Sequence, residues 1–226
     1  MAQKLTIFAA ISLTDAFNEL IADFEKENPA VKIVAEYAGT DSLPRKIADG
    51  ADADIFASAD REAMTKAAGD RVLKPGTEKI FARNALVIVV PKGGKKPANL
   101  KDIENFERIA IGLPDSVPAG RYAKAALKAA GLWDSLASRL IRETNVRLVL
   151  QSVERGEVDA GFVYKTDALA ANDTVEIAMT VEGPGEVEYP FAVTEKGDAA
   201  LAEKFMNFVL SPRGQDILAK YGFVKP

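Results

Sequence analysis

Hydroxyls, carboxylates and lysines must carry whatever chemistry this 226-residue chain performs, because it contains no His and no Cys. That removes Ser-His-Asp triads, Cys-His dyads, His general bases and HExxH zinc sites. Thiol nucleophiles, iron–sulfur clusters, thiolate zinc sites and disulfides go with them. Carboxylate, Ser or Lys catalysis, a hard-cation site, and binding without chemistry remain open. Ser12 is the available nucleophile, and Asp52 with Asp54 is the available metal pair, since alternate strand residues share a face. The pair brackets a strand start and nothing nearby adds further ligands, so an enzyme is the weaker reading.

Four other segments share a different character: small or hydroxyl residues beside backbone N–H groups, with no cluster of cations. In Ala9-Ala10-Ile11-Ser12-Leu13-Thr14-Asp15, Ser12 reads as a helix N-cap in an approximate capping box with Asp15. In Tyr37-Ala38-Gly39-Thr40-Asp41-Ser42-Leu43-Pro44, Pro44 is tolerated only in a first turn, so a helix starts within residues 40–43. Thr40 then lies at the positive end of its dipole, and capping by Thr40 or Asp41 is the plain alternative. In Val117-Pro118-Ala119-Gly120-Arg121-Tyr122, Pro118 suits the first helical position, and Ala119 and Gly120 leave N–H groups uncovered. Asn145 caps a helix beginning at Val146, and the strand 159–164 ends in Tyr164, whose hydroxyl is a further donor. Each segment alone is unremarkable. Together they describe a concave, neutral donor set suited to a small oxyanion. No GxGxxG or GxxxxGK[ST] points to a nucleotide instead.

The elements that carry these loops alternate strand and helix. Residues 5–10 read as a strand, and Leu13, Phe17, Leu20, Ile21 and Phe24 then mark one face of a helix ended by Asn28-Pro29. Further strands are expected at 31–37, 54–58, 81–90, 108–112, 159–164, 175–181 and 187–193. Helices are expected at 43–49, 62–68, 119–130, 146–153, 199–209 and 214–221. The pattern predicts an α/β fold with mainly parallel sheets, and its ligand beyond the carboxyl ends of the strands.

Composition sets the outer bounds. The chain is 48% hydrophobic and 27% charged, with a net charge of -4, an ordinary globular balance that disfavours phosphate-dependent nucleic-acid binding. Its apolar runs are too short to span a bilayer. Met1-Ala2-Gln3-Lys4 leads directly into a strand without the pattern of a signal peptide. The length leans towards two lobes rather than one.

Several segments resemble the periplasmic molybdate-binding proteins that feed ABC importers. They are Phe8-Ala9-Ala10-Ile11-Ser12-Leu13-Thr14-Asp15-Ala16, residues 50–60 (GADADIFASAD), residues 116–123 (SVPAGRYA), residues 157–164 (EVDAGFVY), Val187-Glu188-Tyr189-Pro190 and Tyr221-Gly222-Phe223. Their order and spacing extend from residue 8 to residue 223, nearly the whole chain.

The resemblance implies a type II periplasmic-binding-protein fold in which the chain passes from lobe I to lobe II and back. Lobe I would comprise residues 1–82 and 180–226, and lobe II residues 83–179, with crossings near 80–83 and 179–181 and the ligand in the cleft between. It implies that Ser12 gives hydroxyl and N–H, Thr40 a hydroxyl, Ala119 and Val146 backbone N–H, and Tyr164 its phenol. Thr40 stands where the family commonly has serine, and Gly39 and Asp41 replace the usual neighbours. A carboxylate beside a bound dianion repels it by roughly 4 kcal/mol at about 4 Å and an effective dielectric of ~20. Asp41 is therefore expected to turn away and cap its helix, or to weaken binding.

The implied function is capture of molybdate or tungstate without catalysis, lobe closure over it, and delivery to a membrane permease. Size is expected to exclude sulfate, while molybdate and tungstate are too alike to separate. No cofactor or other metal is expected, the location implied is the periplasm, and the implied state is a monomer. Other tetrahedral oxyanions such as chromate, sulfate or phosphate are the nearest alternative ligands. An effector domain of a transcription regulator is less favoured, because no helix-turn-helix precedes Leu5.

Overall fold

A computed structural model describes residues 3–183 and 186–226. Residues 1–2, at the start of the expected lobe I, and residues 184–185, within its expected return, lie outside the described residues. The chain divides into two compact units, one of Met1–Arg83 with Glu188–Pro226 and one of Asn84–Val187.

The first unit opens with β1 (Gln3–Ala10), a 3-10 turn (Ile11–Leu13) and α1 (Thr14–Glu27). It continues through β2 (Val31–Ala38), α2 (Ser42–Ala48), β3 (Ile55–Ala57), α3 (Arg61–Gly69) and β4 (Lys79–Asn84). The second unit contains β5 (Leu86–Pro91), β6 (Ile109–Gly112), α4 (Pro118–Ala129), α5 (Trp133–Leu136) and β7 (Leu140–Glu143). It ends with α6 (Val146–Glu154), β8 (Ala160–Tyr164), α7 (Lys165–Ala170) and β9 (Val175–Thr180). The chain then returns to the first unit as β10 (Val187–Val193), α8 (Ala199–Leu210) and α9 (Pro212–Lys220).

Each unit is built on a five-stranded sheet, ordered β2-β1-β3-β10-β4 in the first and β7-β6-β8-β5-β9 in the second. The sheets are mixed rather than mainly parallel. In the first unit β1 pairs parallel with β2 and β3, but β10 runs antiparallel to β3. In the second, β6 pairs parallel with β7 and β8, whereas β5 is antiparallel to β8 and β9. Both inserted strands, β5 and β10, follow directly on a passage of the chain from one unit to the other. They enter a sheet from outside instead of through a βαβ crossover, so the parallel rule does not bind them.

The β-branched run at 81–90, read from sequence as one extended stretch, breaks into β4 and β5. The break is at Asn84, whose Oδ1 accepts from the Ala85 N–H at 2.9 Å while its Nδ2 donates to Thr166 Oγ1 at 2.9 Å. The return was expected near 179–181. There β9 is paired along β5, Met179 opposite Ile88, and the Val181 N–H donates to the Leu86 carbonyl at 2.9 Å, so that stretch belongs to the second unit.

In α1, Ala16, Phe17, Leu20 and Phe24 are buried, as the 3.6-residue apolar spacing requires. Phe17 and Phe24 both meet Phe205 of α8, which locks α1 and the return segment onto one core. Arg83 and Val224 exchange backbone hydrogen bonds of 2.8 and 3.0 Å, tying the C-terminal tail to the end of β4. The second unit packs α4 and α6 on its sheet through Ala123, Ala126, Leu127, Val149, Leu150 and Val153, all buried.

Candidate functional site

The first unit presents its candidate donors at the carboxyl ends of neighbouring parallel strands. Ala10 ends β1 opposite Ala38, the end of β2, so the loops carrying Ser12 and Thr40 leave the sheet side by side. Both residues are buried, each 3% exposed. Ser12 lies within the 3-10 turn and does not cap α1: the N-cap position is Leu13, which makes no capping side-chain bond. The turn is closed instead by Thr14, whose Oγ1 donates to the Ile11 carbonyl at 2.6 Å. The capping box expected from Ser12 and Asp15 is therefore not the arrangement present. The Ser12 hydroxyl meets a different partner, the Tyr189 hydroxyl, at 2.9 Å.

Helix α2 begins at Ser42, inside the range that Pro44 demanded. Asp41 occupies the N-cap, but its side chain makes no capping bond, so the cap expected of it is not formed. Ser42 closes the loop, its Oγ donating to the Gly39 carbonyl at 2.7 Å. Tyr37, at the end of β2, donates its hydroxyl to Asn18 Oδ1 at 2.8 Å. Burial, and after it the nearby Asp15 carboxylate, push this phenol far above the ordinary tyrosine range, so it stays protonated.

In the second unit Val146, Ala119 and Tyr164 follow or end the three adjacent parallel strands β7, β6 and β8. Pro118 is the first residue of α4 and Ala119 the second. The Arg121 N–H already reaches the Val117 carbonyl at 3.0 Å, so Ala119 and Gly120 hold the first-turn donors that no helical carbonyl can accept. This helix start is pressed onto the end of β6. A Cβ on Gly120 would stand 2.2 Å from the Gly112 carbonyl oxygen, and one on Gly112 would stand 2.6 Å from Val117 Cγ1. Only glycine permits that approach.

Asn145 caps α6 as expected, its Oδ1 accepting from the Leu148 N–H at 3.0 Å, and Val146 is the first helical residue. Tyr164 is 1% exposed, and its N–H donates to Asp167 Oδ2 at 3.1 Å. The Asp167 carboxylate is wholly buried and paired with Arg147 Nε at 2.8 Å. This pair joins the start of α6 to the end of β8, and so holds the Val146 backbone and Tyr164 in fixed relation. It was not anticipated from sequence, because nothing local links residues 147 and 167.

Of the carboxylates of the alternative reading, Asp54 is engaged in structure. Asp54 accepts from the Thr6 N–H at 2.7 Å and the Asp198 N–H at 2.9 Å. With Asp52 it borders an open cavity of about 470 Å³. Among the described residues no group of three or more His, Cys, Asp or Glu side chains is arranged to hold a metal ion.

Tyr189, the hydroxyl partner of Ser12, is the residue of this candidate site that sequence reasoning missed. It is fully buried near the start of β10, which runs antiparallel and so begins where β3 ends. Its ring stands edge-on to Phe81 at 6.2 Å and to Phe223 at 5.4 Å. The available signal was its place in the Val187–Pro190 motif, with Phe223 in the C-terminal one.

Comparison with known proteins gives the family. The chain matches the family described as bacterial extracellular solute-binding protein over residues 5–224. It is 37% identical to the molybdate-binding protein ModA of Escherichia coli K12, over 97% of this chain and 88% of that one. The chain belongs to the ModA family. This is a family of solute-binding proteins and not of enzymes. Among solved structures, the substrate-binding domain of a putative molybdenum ABC transporter from Clostridium difficile superposes with a TM-score of 0.78 at 31% identity, covering 100% of both chains. The periplasmic molybdate-binding protein of Azotobacter vinelandii has a TM-score of 0.82 at 22% identity, covering 98% of this chain and 99% of its own, a likeness of fold. ModA-family membership makes the chain an extracellular solute-binding component of an ABC transporter. No helix among its described residues is long and apolar enough to cross a membrane.

Proposed function

We propose that this chain captures one molybdate dianion, and tungstate equally, in the periplasm as a monomer, and delivers it to the membrane permease of an ABC importer. The donors are Ser12 and Thr40 from the first unit and Ala119, Val146 and Tyr164 from the second. Ala119 and Val146 act through backbone N–H, so their side chains matter little. The counter-charge is spread over helix N-termini and neutral hydroxyls, which allows a doubly charged anion to be held without a dedicated lysine or arginine.

The observation that carries this reading is the row of Val146, Ala119 and Tyr164 at the carboxyl ends of three adjacent parallel strands. Relatives named for molybdate binding support the choice of anion. A buried donor that the anion fails to reach is left without its hydrogen bond, so selectivity rests on which anion reaches all donors at once. Sulfate is smaller and would leave some of them stretched.

Thermal unfolding with and without anion tests the proposal. Molybdate at about 100 times its dissociation constant adds roughly 2.7 kcal/mol to stability and raises the melting temperature. Equal concentrations of sulfate are expected to leave it nearly unmoved. A melting temperature indifferent to molybdate and tungstate contradicts the proposal.

A further inference from the structure

We infer that Tyr189 is a positioning and specificity-determining residue: its phenol fixes the Ser12 hydroxyl as a donor towards a fully deprotonated oxyanion. This deepens the molybdate proposal and rests on it. The 2.9 Å contact between Ser12 Oγ and the Tyr189 hydroxyl suits donation in either direction. A serine hydroxyl has one proton and two acceptor positions. Once Ser12 gives its proton to the ligand, the Tyr189 contact survives only if the phenol donates into Oγ. The direction of one bond therefore sets the direction of the other.

The surroundings hold the phenol to that task. Tyr189 is fully buried, and its ring is flanked edge-on by Phe81 at 6.2 Å and Phe223 at 5.4 Å. Its carbonyl-side neighbour is fixed as well, since the Pro190 carbonyl accepts from the Ser58 N–H at 2.8 Å. Tyr189 reaches Ser12 across 177 residues of sequence, so the contact is made by β10 entering the sheet and not by local turn chemistry. Donation into Oγ also polarises the Ser12 O–H and strengthens the bond that it gives.

The chemical consequence is selectivity by protonation state. Molybdate, tungstate and sulfate offer only acceptor oxygens at neutral pH, whereas hydrogen phosphate and hydrogen arsenate carry an O–H. If Ser12 accepted that proton while the phenol donates into its other acceptor position, its own hydrogen would have an acceptor on neither side, so a protonated oxygen placed there forfeits a hydrogen bond. Tyr189 thus biases the site against protonated oxyanions independently of their size.

Calorimetric titration of wild type, Tyr189→Phe, Ser12→Ala and the double variant with molybdate and with phosphate tests the inference. Tyr189→Phe keeps the ring packing and is expected to weaken molybdate binding roughly five- to tenfold. It is expected to weaken phosphate less, narrowing the ratio between the two. In the Ser12→Ala background the same change should cost nothing further, because the relay is already gone. Equal or tighter molybdate binding by Tyr189→Phe, or the same loss with and without Ser12, overturns the inference. Site-specific 3-fluorotyrosine at position 189, a nearly isosteric and stronger donor, supplies a variant that tolerates the core: tighter molybdate binding supports the relay and weaker binding contradicts it. A wild-type protein that ignores molybdate would instead bring down the functional proposal itself.

Discussion

Removing one oxygen from Tyr164 interrogates the donor set at a single atom. The ring is buried and its backbone N–H is fixed by Asp167, so Tyr164→Phe leaves the packing and the start of α7 in place. A hydrogen bond to a charged acceptor contributes about 1.5–3 kcal/mol, so molybdate affinity is expected to fall roughly 10- to 100-fold in a calorimetric titration. Unchanged affinity would remove Tyr164 from the site. Asp41 makes the opposite prediction. Asp41 follows Thr40 in the chain and its side chain does not cap α2, so Asp41→Asn is expected to tighten molybdate binding, most at low ionic strength where the charge is least screened. A third residue reports on stability. Bonding to Arg61, with Arg83 at 3.5 Å, holds the Glu188 carboxyl below its ordinary value near 4.5 against an opposing push from burial. A depressed carboxylate stabilises the fold fully above that ordinary value and loses its contribution as pH falls through the lower, folded one. Glu188→Gln should therefore melt below wild type at neutral pH, and the gap should close in acid. A gap independent of pH would assign the effect to packing.

At the scale of elements, the decisive feature is the seating of α4 on β6. Gly120→Ala would drive a Cβ to within 2.2 Å of the Gly112 carbonyl, so the helix start must move. The expected cost is about 1–3 kcal/mol in chemical unfolding, with weakened molybdate binding because the Ala119 N–H moves too. Ala119→Gly, which keeps the N–H, is expected to leave binding largely intact. Much of this scale was legible in the sequence: Pro118 at a helix start, Asn145 as a cap, and the apolar spacing of α1 all appear where local chemistry put them. The failures have physical causes. Ser12 satisfied a capping pattern, but Thr14 closed the turn and left Ser12 to a long-range partner. Strand β7 lies at a sheet edge with Arg142 exposed, so Leu140–Glu143 lacks the apolar run that marks a buried strand. The 81–90 run reads as continuous because no Gly or Pro interrupts it, and periodicity does not register a side chain such as Asn84 ending one strand and anchoring the next.

For the whole molecule, the alternation of strands and helices anticipated the α/β class, and the resemblance carried by a chain-long series of short motifs anticipated the family. Strand direction was not anticipated. Antiparallel β5 and β10 arise from the path of the chain between units, which propensities do not encode. Tyr189 belongs to that same gap: its role depends on β10 arriving beside β3, one strand away from β1, after more than a hundred intervening residues. The central claim, capture of a single tetrahedral dianion by neutral donors, is tested most directly by calorimetric titration of the ligand-free protein with molybdate, tungstate, sulfate and phosphate. The account predicts one-to-one binding of the first two and far weaker heats from sulfate and phosphate. No binding of molybdate or tungstate, or sulfate bound as tightly as either, would contradict it.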